Sequence, residues 1–274
     1  MKNRKLFERF HWEDEAYAKA FDTLLGCSGE RPFVHAYLEN IMQAYPKQGC
    51  AVDWGAGSGD ICRLLSMHFG TVFAVEPNAA LRSCLAESCP NALILNGDLN
   101  SAVPPRAVDV GIISHVFYHI PDHKWAAYIL KAANYLDDDG ALVVFLKDAN
   151  SDCNHMLEYF GAPRFDLIAA LQAMMQKHTE YRYGLERLPG SFYTQSLQDT
   201  VDTARLVMCD RDEDAFSKPV YEQSFLDYVA ANFWDDSAKR GGWDYDVLAL
   251  CVRRRTVHHN GLSSTYGKRE AVCE

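Results

Sequence analysis

The chain has 274 residues, of which 48% are hydrophobic and 23% charged, as in globular proteins that bury a sizeable core. Its formal net charge of −10 argues against nucleic acid as a partner, because an acidic surface repels phosphate backbones. No segment approaches the roughly 18 uncharged apolar residues that a membrane span needs, and the N-terminus lacks the apolar stretch of a secretory signal. The nine cysteines contain no Cys-x-x-Cys pair, so we expect free thiols and a cytoplasmic location.

The first 46 residues are predicted to form a helical cap. Apolar side chains recur every three to four positions between residues 6 and 45, which is typical of the buried face of helices. Residues 26–31, followed by Pro32, are predicted to separate two helices, and Pro46 ends the second.

Strands and helices alternate over residues 47–149, the predicted core. The predicted strands are 50–53, 71–75, 92–95, 108–113 and 141–146; the helices are 61–68, 78–89 and 125–136, and a turn is predicted at 137–140. Apolar strands separated by helices indicate a doubly wound, mostly parallel sheet covered on both faces. Such sheets bind ligands at the carboxyl ends of their strands, which here carry Asp53, Glu76, Asp98 and Ser114.

The remaining segments complete the predicted α/β architecture. Residues 150–230 are predicted to be a mostly helical insertion on the substrate side, with a helix starting near 193–196 and a solvated loop at 210–214. Residues 231–255 are predicted to contain the closing strand, and 256–274 a flexible tail. We therefore expect a single domain over residues 1–255.

Three glycines at alternate positions, Gly55, Gly57 and Gly59, follow the first strand and open a helix. Glycines there allow the backbone to approach a ligand and leave the amides at the helix N-terminus free. The rival motif is the dinucleotide fingerprint Gly-x-Gly-x-x-Gly. This chain departs from it, because Asp60 stands where the third glycine is required.

The glycine turn lies in the segment Val52-Asp53-Trp54-Gly55-Ala56-Gly57-Ser58-Gly59, and it is followed in order by Glu76 and by residues 96–98, 114–122 and 136–142. In these features the sequence resembles the class I S-adenosylmethionine-dependent methyltransferases. The resemblance covers about residues 48–148. It implies a seven-stranded, Rossmann-like sheet and S-adenosyl-L-methionine as the cofactor. It also implies that the glycine turn faces the methionine part, that Glu76 holds the ribose hydroxyls and that Asp98 contacts the adenine amino group. The cofactor-binding residues so implied are Asp53, Gly55, Ala56, Gly57, Gly59, Glu76, Pro77, Asp98, Leu99 and Ser114.

Candidate catalytic residues follow the fourth strand. His115 and His119 carry imidazoles that can take a proton from the methyl acceptor near neutral pH, although they could equally serve only in packing or hydrogen bonding. With Tyr118 they are the predicted catalytic residues. Pro121 interrupts the helix that would align His115, His119 and His123 as metal ligands, so no metal site is predicted.

A narrower similarity concerns the acceptor. The helical cap, residues 116–119 and the late strand at 245–250 are similar to the histamine N-methyltransferase family, in which polar and aromatic residues surround a substrate amine. The acidic residue that this family places on its N-terminal helix aligns near Lys19, which argues against histamine itself. The predicted substrate-binding residues are Phe10, Tyr17, His115, Tyr118, His119, Tyr193, Asp244 and Asp246.

The predicted function is in-line SN2 transfer of a methyl group to a small molecule, most consistently N-methylation of an amine, cationic amines included, or of an imidazole-like metabolite. The first alternative is O-methylation of a small phenolic or carboxylate natural product. The second is a non-catalytic protein that binds S-adenosylmethionine. Nucleic-acid methylation is disfavoured by the acidic charge, and because residues 114–117 replace the Asp/Asn-Pro-Pro-aromatic motif of base-amino methylases.

Overall fold

A mixed β-sheet flanked by helices organises the chain, which a computed structural model describes over residues 5–9 and 15–255. Phe10 and the predicted tail at 256–274 lie outside the described residues. The strands are β1 (Cys50–Trp54), β2 (Thr71–Glu76), β3 (Leu93–Asn96), β4 (Val108–Ser114), β5 (Leu136–Lys147), β6 (Tyr181–Thr194), β7 (Trp234–Asp235) and β8 (Arg240–Arg254).

The strand order is β3-β2-β1-β4-β5-β8-β6, and the short β7 pairs with β8 beside this path. The first five strands are parallel to their neighbours, whereas β8 runs antiparallel to β5 and β6. The predicted seven-stranded, mostly parallel sheet is confirmed. The order reverses beside β1, so the carboxyl ends of β1 and β4 flank the crevice where such sheets bind ligands.

The helices begin where the sequence provides capping groups. Pro32 lies in the first turn of α2, where its missing N–H costs nothing. The side chain of Asn78 accepts hydrogen bonds from two amides at the start of α4, and that of Ser196 accepts one at the start of α8. The helices are α1 (Glu15–Cys27), α2 (Arg31–Met42), α3 (Asp60–His68), α4 (Ala79–Ser88), α5 (Trp125–Ala133), α6 (Asp152–Tyr159), α7 (Leu167–Lys177), α8 (Leu197–Cys209) and α9 (Glu222–Asn232).

The core lies against the central strands. All five side chains of β1 are buried, and β4 and β5 are buried over most of their length. These strands show no polar alternation, because both faces of the sheet are covered. Burial of a large apolar side chain stabilises the fold by roughly 1.5–3 kcal/mol, so this core holds the strand ends in fixed positions.

Residues 150–230, predicted to be mostly helical, contain α6, α7, α8 and most of α9, but they also contain the strand β6, which was not predicted. It is 14 residues long and lies at the edge of the sheet, where its hydrogen-bonded partner is β8. Edge strands tolerate proline and carry many exposed polar side chains, and β6 contains Pro189 together with Glu186 and Arg187. These residues hide the apolar alternation that would otherwise reveal a strand.

The predicted turn at 137–140 is also wrong, because these residues belong to β5. Leu136 pairs with Val108 and Ala141 pairs with Val110, and the register shifts between the two pairs as in a β-bulge. The three aspartates of this segment are exposed on the bulged part. Their composition suggested a turn, whereas strand pairing continues on either side of them.

Candidate functional site

The glycine turn after β1 is held by the neighbouring strand. The amides of Gly55 and Ala56 donate hydrogen bonds of 2.8 and 3.0 Å to the carbonyl of Val75 in β2. Gly55, Gly57 and Gly59 have φ angles of +77°, +55° and +97°, a region that side chains other than glycine rarely adopt. The turn therefore needs glycine for its conformation as well as for space.

The three glycines face different surroundings. A Cβ atom at Gly59 would lie 2.6 Å from Oγ of Ser88 and 2.9 Å from Leu85, so Gly59 packs against α4. A Cβ atom at Gly57 would have no described atom within 4 Å. The turn is therefore open at Gly57, where a ligand can approach the backbone.

Glu76 joins the end of β2 to this open part of the turn. Its side chain is buried, Oε2 accepts a 3.0 Å hydrogen bond from the amide of Gly57, and Oε1 accepts one of 2.8 Å from the amide of Asn78. The carbonyl of Pro77, the next residue, accepts a hydrogen bond from Arg82. A carboxylate is thus fixed at the rim, with lone pairs left for a bound hydroxyl group.

Asp53 lies beneath the turn and is 1% exposed. Burial raises its pKa to about 7, and the nearby charges of Glu76 and Asp60 act in the same direction. Within the described part of the chain, its Oδ2 atom is buried and has no hydrogen-bond partner. Buried polar atoms normally have partners, so this oxygen suits a ligand that brings a hydrogen-bond donor or a positive charge.

Asp98 and Ser114 stand at the ends of β3 and β4. Asp98 accepts hydrogen bonds from the amides of Asn100 and Ser101 and from the Ser101 hydroxyl, and the Ser101 contact is the main cause of its lowered pKa. Leu99 is buried beside it. Adjacent parallel strands place Asp53, Glu76, Asp98 and Ser114 along one edge of the sheet.

His115 follows β4 and contacts residues from two other segments. Its backbone has a φ of +56°, and its amide donates a hydrogen bond to the carbonyl of Phe145. Its Nε2 atom lies 2.8 Å from Oε1 of Glu30, and its Nδ1 atom lies 3.3 Å from the Tyr118 hydroxyl. The Tyr118 hydroxyl also accepts a 3.1 Å hydrogen bond from the amide of Lys147, which fixes its position.

The Glu30 side chain is only 17% exposed, and its carboxylate is ionised. Burial alone acts to raise its pKa, but His115, Lys147 and Tyr245 outweigh burial and lower the pKa to about 2. Burial also keeps the Tyr118 hydroxyl protonated by raising its pKa well above the usual value. The arrangement therefore combines a permanent negative charge, an imidazole and a neutral phenol within hydrogen-bond reach.

A cavity of about 10 Å³, room for about one water molecule, lies beside Tyr118. Lys147, which ends β5 and is 7% exposed, and Asp210, which follows α8, both line it. Burial raises the pKa of Asp210 to about 6, against the positive charges of His119 and Lys147. The prediction that residues 210–214 form only a solvated loop is therefore wrong for Asp210. The cavity-lining residues are Tyr118, Lys147, Cys153, Asn154, Leu157, Phe165, Val207 and Asp210.

Sequence reasoning missed Glu30, Lys147, Asp210 and Tyr245. Lys147 offered one signal, since a lysine ending an otherwise apolar strand is unusual and stands at the ligand-binding edge. The other three come from a helix start, a helix end and a distant strand, and no spacing in the sequence links them.

The remaining predicted substrate residues lie in several different places. His119 is exposed and its charge acts on Asp210, whereas Tyr17 packs against Ala20 and Leu206 between α1 and α8. Asp244 opposes Ser191, three residues beyond the last pair that joins β8 to β5 at Val247.

Tyr193 and Asp246 occupy different parts of the β6–β8 ribbon. Arg240 lies 3.5 Å from the ring centre of Tyr193 at the outer end. Asp246 lies at the rim, where its side chain is 3.8 Å from Arg187 and its carbonyl accepts a hydrogen bond from the amide of Asp148.

The residues that the structure describes contain no group of three or more His, Cys, Asp or Glu side chains that could hold a metal ion. Among the helices of this same part of the chain, none is long and apolar enough to cross a membrane.

Comparison with known proteins gives a family for the chain. Residues 29–196, more than half of it, match a family model described as a methyltransferase domain. An uncharacterized methyltransferase of Bacillus mycoides (strain KBAB4) is 26% identical over 113 residues, which are 40% of this chain and 53% of that protein. The match thus spans about half the length of such curated relatives.

Solved structures share the fold at low sequence identity. A protein of Bacillus halodurans C-125 is 13% identical with a TM-score of 0.59, over 81% of this chain and 99% of that one. The N-methyltransferase NodS of Bradyrhizobium japonicum WM9, solved in complex with S-adenosyl-L-homocysteine, is 11% identical with a TM-score of 0.53, over 88% and 99%. Both support the Rossmann-like architecture described above.

Proposed function

Because this chain belongs to the methyltransferase-domain family, we propose that it is a class I S-adenosylmethionine-dependent enzyme that methylates a small-molecule amine. The observation that carries the cofactor assignment is the hydrogen bond between the Gly57 amide and the buried Glu76 carboxylate, beside a turn open to solvent. The narrower likeness to histamine N-methyltransferase stays a prediction.

The residues of the turn fit such a cofactor in charge and in shape. The open side of Gly57 and the unpaired Oδ2 atom of Asp53 suit the methionine part, whose ammonium group supplies the missing donor. Glu76 would hold the ribose hydroxyls, since each of its oxygens has a lone pair beyond the backbone bond that it accepts. Asp98 and Leu99 would border the adenine, at the end of the next strand.

The bound cofactor supplies a methyl group already activated by its sulfonium. The protein's task is to orient a neutral nucleophile in line with that methyl carbon and to accept the proton that an amine must lose. Residues 114–119 leave β4 at the edge where the cofactor would lie. We assign the proton-accepting role to His115 and Tyr118, which contact each other, and Tyr118 also lines the cavity.

The charges around the cavity favour an amine acceptor. Glu30 is ionised, and Asp210 stands near the cavity with a pKa of about 6, raised by burial, so two carboxyl groups can attract a cation. Lys147 favours the second candidate, because a buried ammonium suits a phenolate or carboxylate acceptor for O-methylation. The acidic net charge of the chain is consistent with the first.

Two experiments test this proposal in sequence. Calorimetry with S-adenosylmethionine and S-adenosylhomocysteine tests the cofactor, and failure to bind either would refute the whole assignment. A panel of amines, phenols and carboxylates incubated with methyl-labelled cofactor then tests the acceptor. Label on amines alone supports the first candidate, and label on phenols or carboxylates alone supports the second.

A further inference from the structure

We propose that Glu30 is a positioning residue for the reaction, whose carboxylate fixes the orientation and tautomer of His115 so that His115 can accept the acceptor's proton through Tyr118. This inference rests on the function proposed above. It adds a residue from the start of α2, a segment with no part in the predicted cofactor motif.

The backbone that carries Glu30 is fastened to the sheet. The amide of Gly29 donates a 2.8 Å hydrogen bond to the carbonyl of Ser191 in β6, and the Ser28 hydroxyl lies 2.8 Å from the Tyr245 hydroxyl. A Cβ atom at Gly29 would lie 2.5 Å from the Ser191 hydroxyl, so the two segments approach closely. Glu30 is therefore presented from a fixed point, as positioning requires.

His115 adopts a conformation with a steric cost. A φ of +56° is uncommon for residues other than glycine, and such strain clusters at functional sites. The conformation places the imidazole between Glu30 and Tyr118, with ring nitrogens 2.8 and 3.3 Å from the respective oxygens. The rings of His115 and Tyr118 are stacked with 5.9 Å between their centres.

The partners of the two ring nitrogens decide the tautomer. An ionised carboxylate can only accept, so the nitrogen that faces Glu30, Nε2, carries the proton. Nδ1 is then free to accept the hydrogen of the Tyr118 hydroxyl. The Nε2 contact is short, yet Nε2 has no hydrogen bond of ordinary alignment within the described residues. Catalytic contacts commonly align only when substrate is bound.

A proton relay would link the acceptor to His115 through Tyr118. The acceptor's ammonium gives a proton to the Tyr118 oxygen while the Tyr118 hydrogen moves to Nδ1 of His115. The acceptor becomes a neutral amine, Tyr118 stays neutral, and His115 becomes an imidazolium that the Glu30 carboxylate stabilises. When the amine attacks the methyl carbon, its lone pair forms the new C–N bond and the C–S bonding pair returns to sulfur.

Several other groups face this pair and bear on its pH dependence. Lys147 from β5 and Tyr245 from β8 act to lower the pKa of Glu30. The charge of His115 acts to lower the pKa of Asp210, which follows α8. Tyr118 comes from the short turn after β4. Lys147 and Asp210 carry opposite charges. Glu30 is the carboxylate that directly contacts the imidazole.

The test uses the full-length enzyme with an amine acceptor from the labelled panel. Glu30→Gln keeps the shape but removes the charge, Glu30→Asp keeps the charge at a shorter reach, and Glu39→Gln on the exposed face of α2 is the control. We expect E30Q to lower kcat by about 10- to 100-fold, part of the 10²–10⁴-fold that general base catalysis supplies, with KM unchanged. E30D should recover part of kcat, and E39Q should match the wild type.

The pH–rate profile adds a readout that a purely structural role would not move. Without the Glu30 charge the imidazolium is less stable, so the acid limb of kcat should move to lower pH. An E30Q effect confined to KM would mean that Glu30 binds the acceptor directly, and would overturn the positioning role, as would an unchanged kcat.

Two further measurements keep the outcomes separate. If the wild type binds no cofactor, the proposed function itself fails, whereas wild-type methylation with an unaffected E30Q variant rejects the positioning role alone. Should E30Q fail to fold, nitrogen-15 spectra of the wild-type histidines decide. A proton on Nε2 of His115 supports the pair, and one on Nδ1 overturns it.

Discussion

The amide of Gly57 donates a 3.0 Å hydrogen bond to the Glu76 carboxylate, and this bond joins the turn after β1 to the end of β2. One carboxylate therefore both shapes the turn and offers acceptors at its rim. Substitutions at the two residues can separate these two contributions.

Glu76→Ala should weaken S-adenosylmethionine binding by ~1–3 kcal/mol, the usual cost of losing hydrogen bonds to a charged group. This corresponds to about a 5- to 150-fold increase in Kd, which calorimetry can measure. Glu87→Ala, an exposed glutamate on α4, should leave Kd unchanged. An unaltered Kd in Glu76→Ala would place the ribose-binding group elsewhere.

Alanine should mainly affect stability at Gly59 and mainly affect cofactor affinity at Gly57. Both positions have positive φ, so each substitution costs ~1–2 kcal/mol of conformational strain. At Gly59 the new methyl group also meets Ser88 and Leu85, so Gly59→Ala should lose the greater stability and melt several degrees lower.

At Gly57 the methyl group enters open space where the cofactor would approach. Gly57→Ala should therefore raise the Kd for S-adenosylmethionine by about tenfold or more while losing less stability than Gly59→Ala. Paired melting curves and calorimetry check both variants. A Gly57→Ala variant with full affinity would remove this side of the turn from the site.

The two histidines after β4 should also differ. His115 contacts Glu30 and Tyr118, whereas His119 is exposed. We expect His115→Ala to lose 10²-fold or more in kcat, as for removal of a general base, and His119→Ala to change kcat less than threefold. Initial rates with labelled cofactor measure both, and equal losses would contradict the assignment.

The sequence predicts the cofactor half of this protein because its signals are local. The strands β1 to β4 are largely apolar runs, and a predicted cofactor residue lies at or near the end of each, as Glu76 does in β2. The edge strand β6 escapes the same reasoning, since solvent on its open side allows polar residues and Pro189.

The proposed substrate side is assembled from distant segments. Glu30 meets His115 across 85 positions of sequence, and Lys147 reaches Tyr118 because β4 and β5 are neighbours in the sheet. Periodicity reports which face of an element is buried, but it does not report which two elements touch. The charge of Asp210 suggested a solvated loop, and its position at the end of α8 makes it part of a cavity wall instead.

The pH dependence of stability should reveal Asp53. Burial, reinforced by Glu76 and Asp60, raises its pKa in the folded protein to about 7 from the 3.8 typical of an exposed aspartate. Between these two values the folded state binds more protons than the unfolded state, so stability falls as pH rises through this window. Above pH 7 the ionised Asp53 costs the ligand-free fold on the order of 1–4 kcal/mol.

Asp53→Asn removes this titration, so the variant without ligand should melt several degrees above the wild type at pH 8. The difference should shrink as pH falls from 7 towards 4, because the wild-type carboxyl then becomes protonated as well. Asp98→Asn gives a comparison of opposite sign: hydrogen bonds from Ser101, the largest cause, lower the pKa of Asp98, so its contribution is present at neutral pH and is lost as pH falls. Thermal melts of all three proteins from about pH 2 to 8 measure both trends, and a wild-type-minus-variant difference for Asp53 that is independent of pH would show that its carboxyl does not titrate in this range.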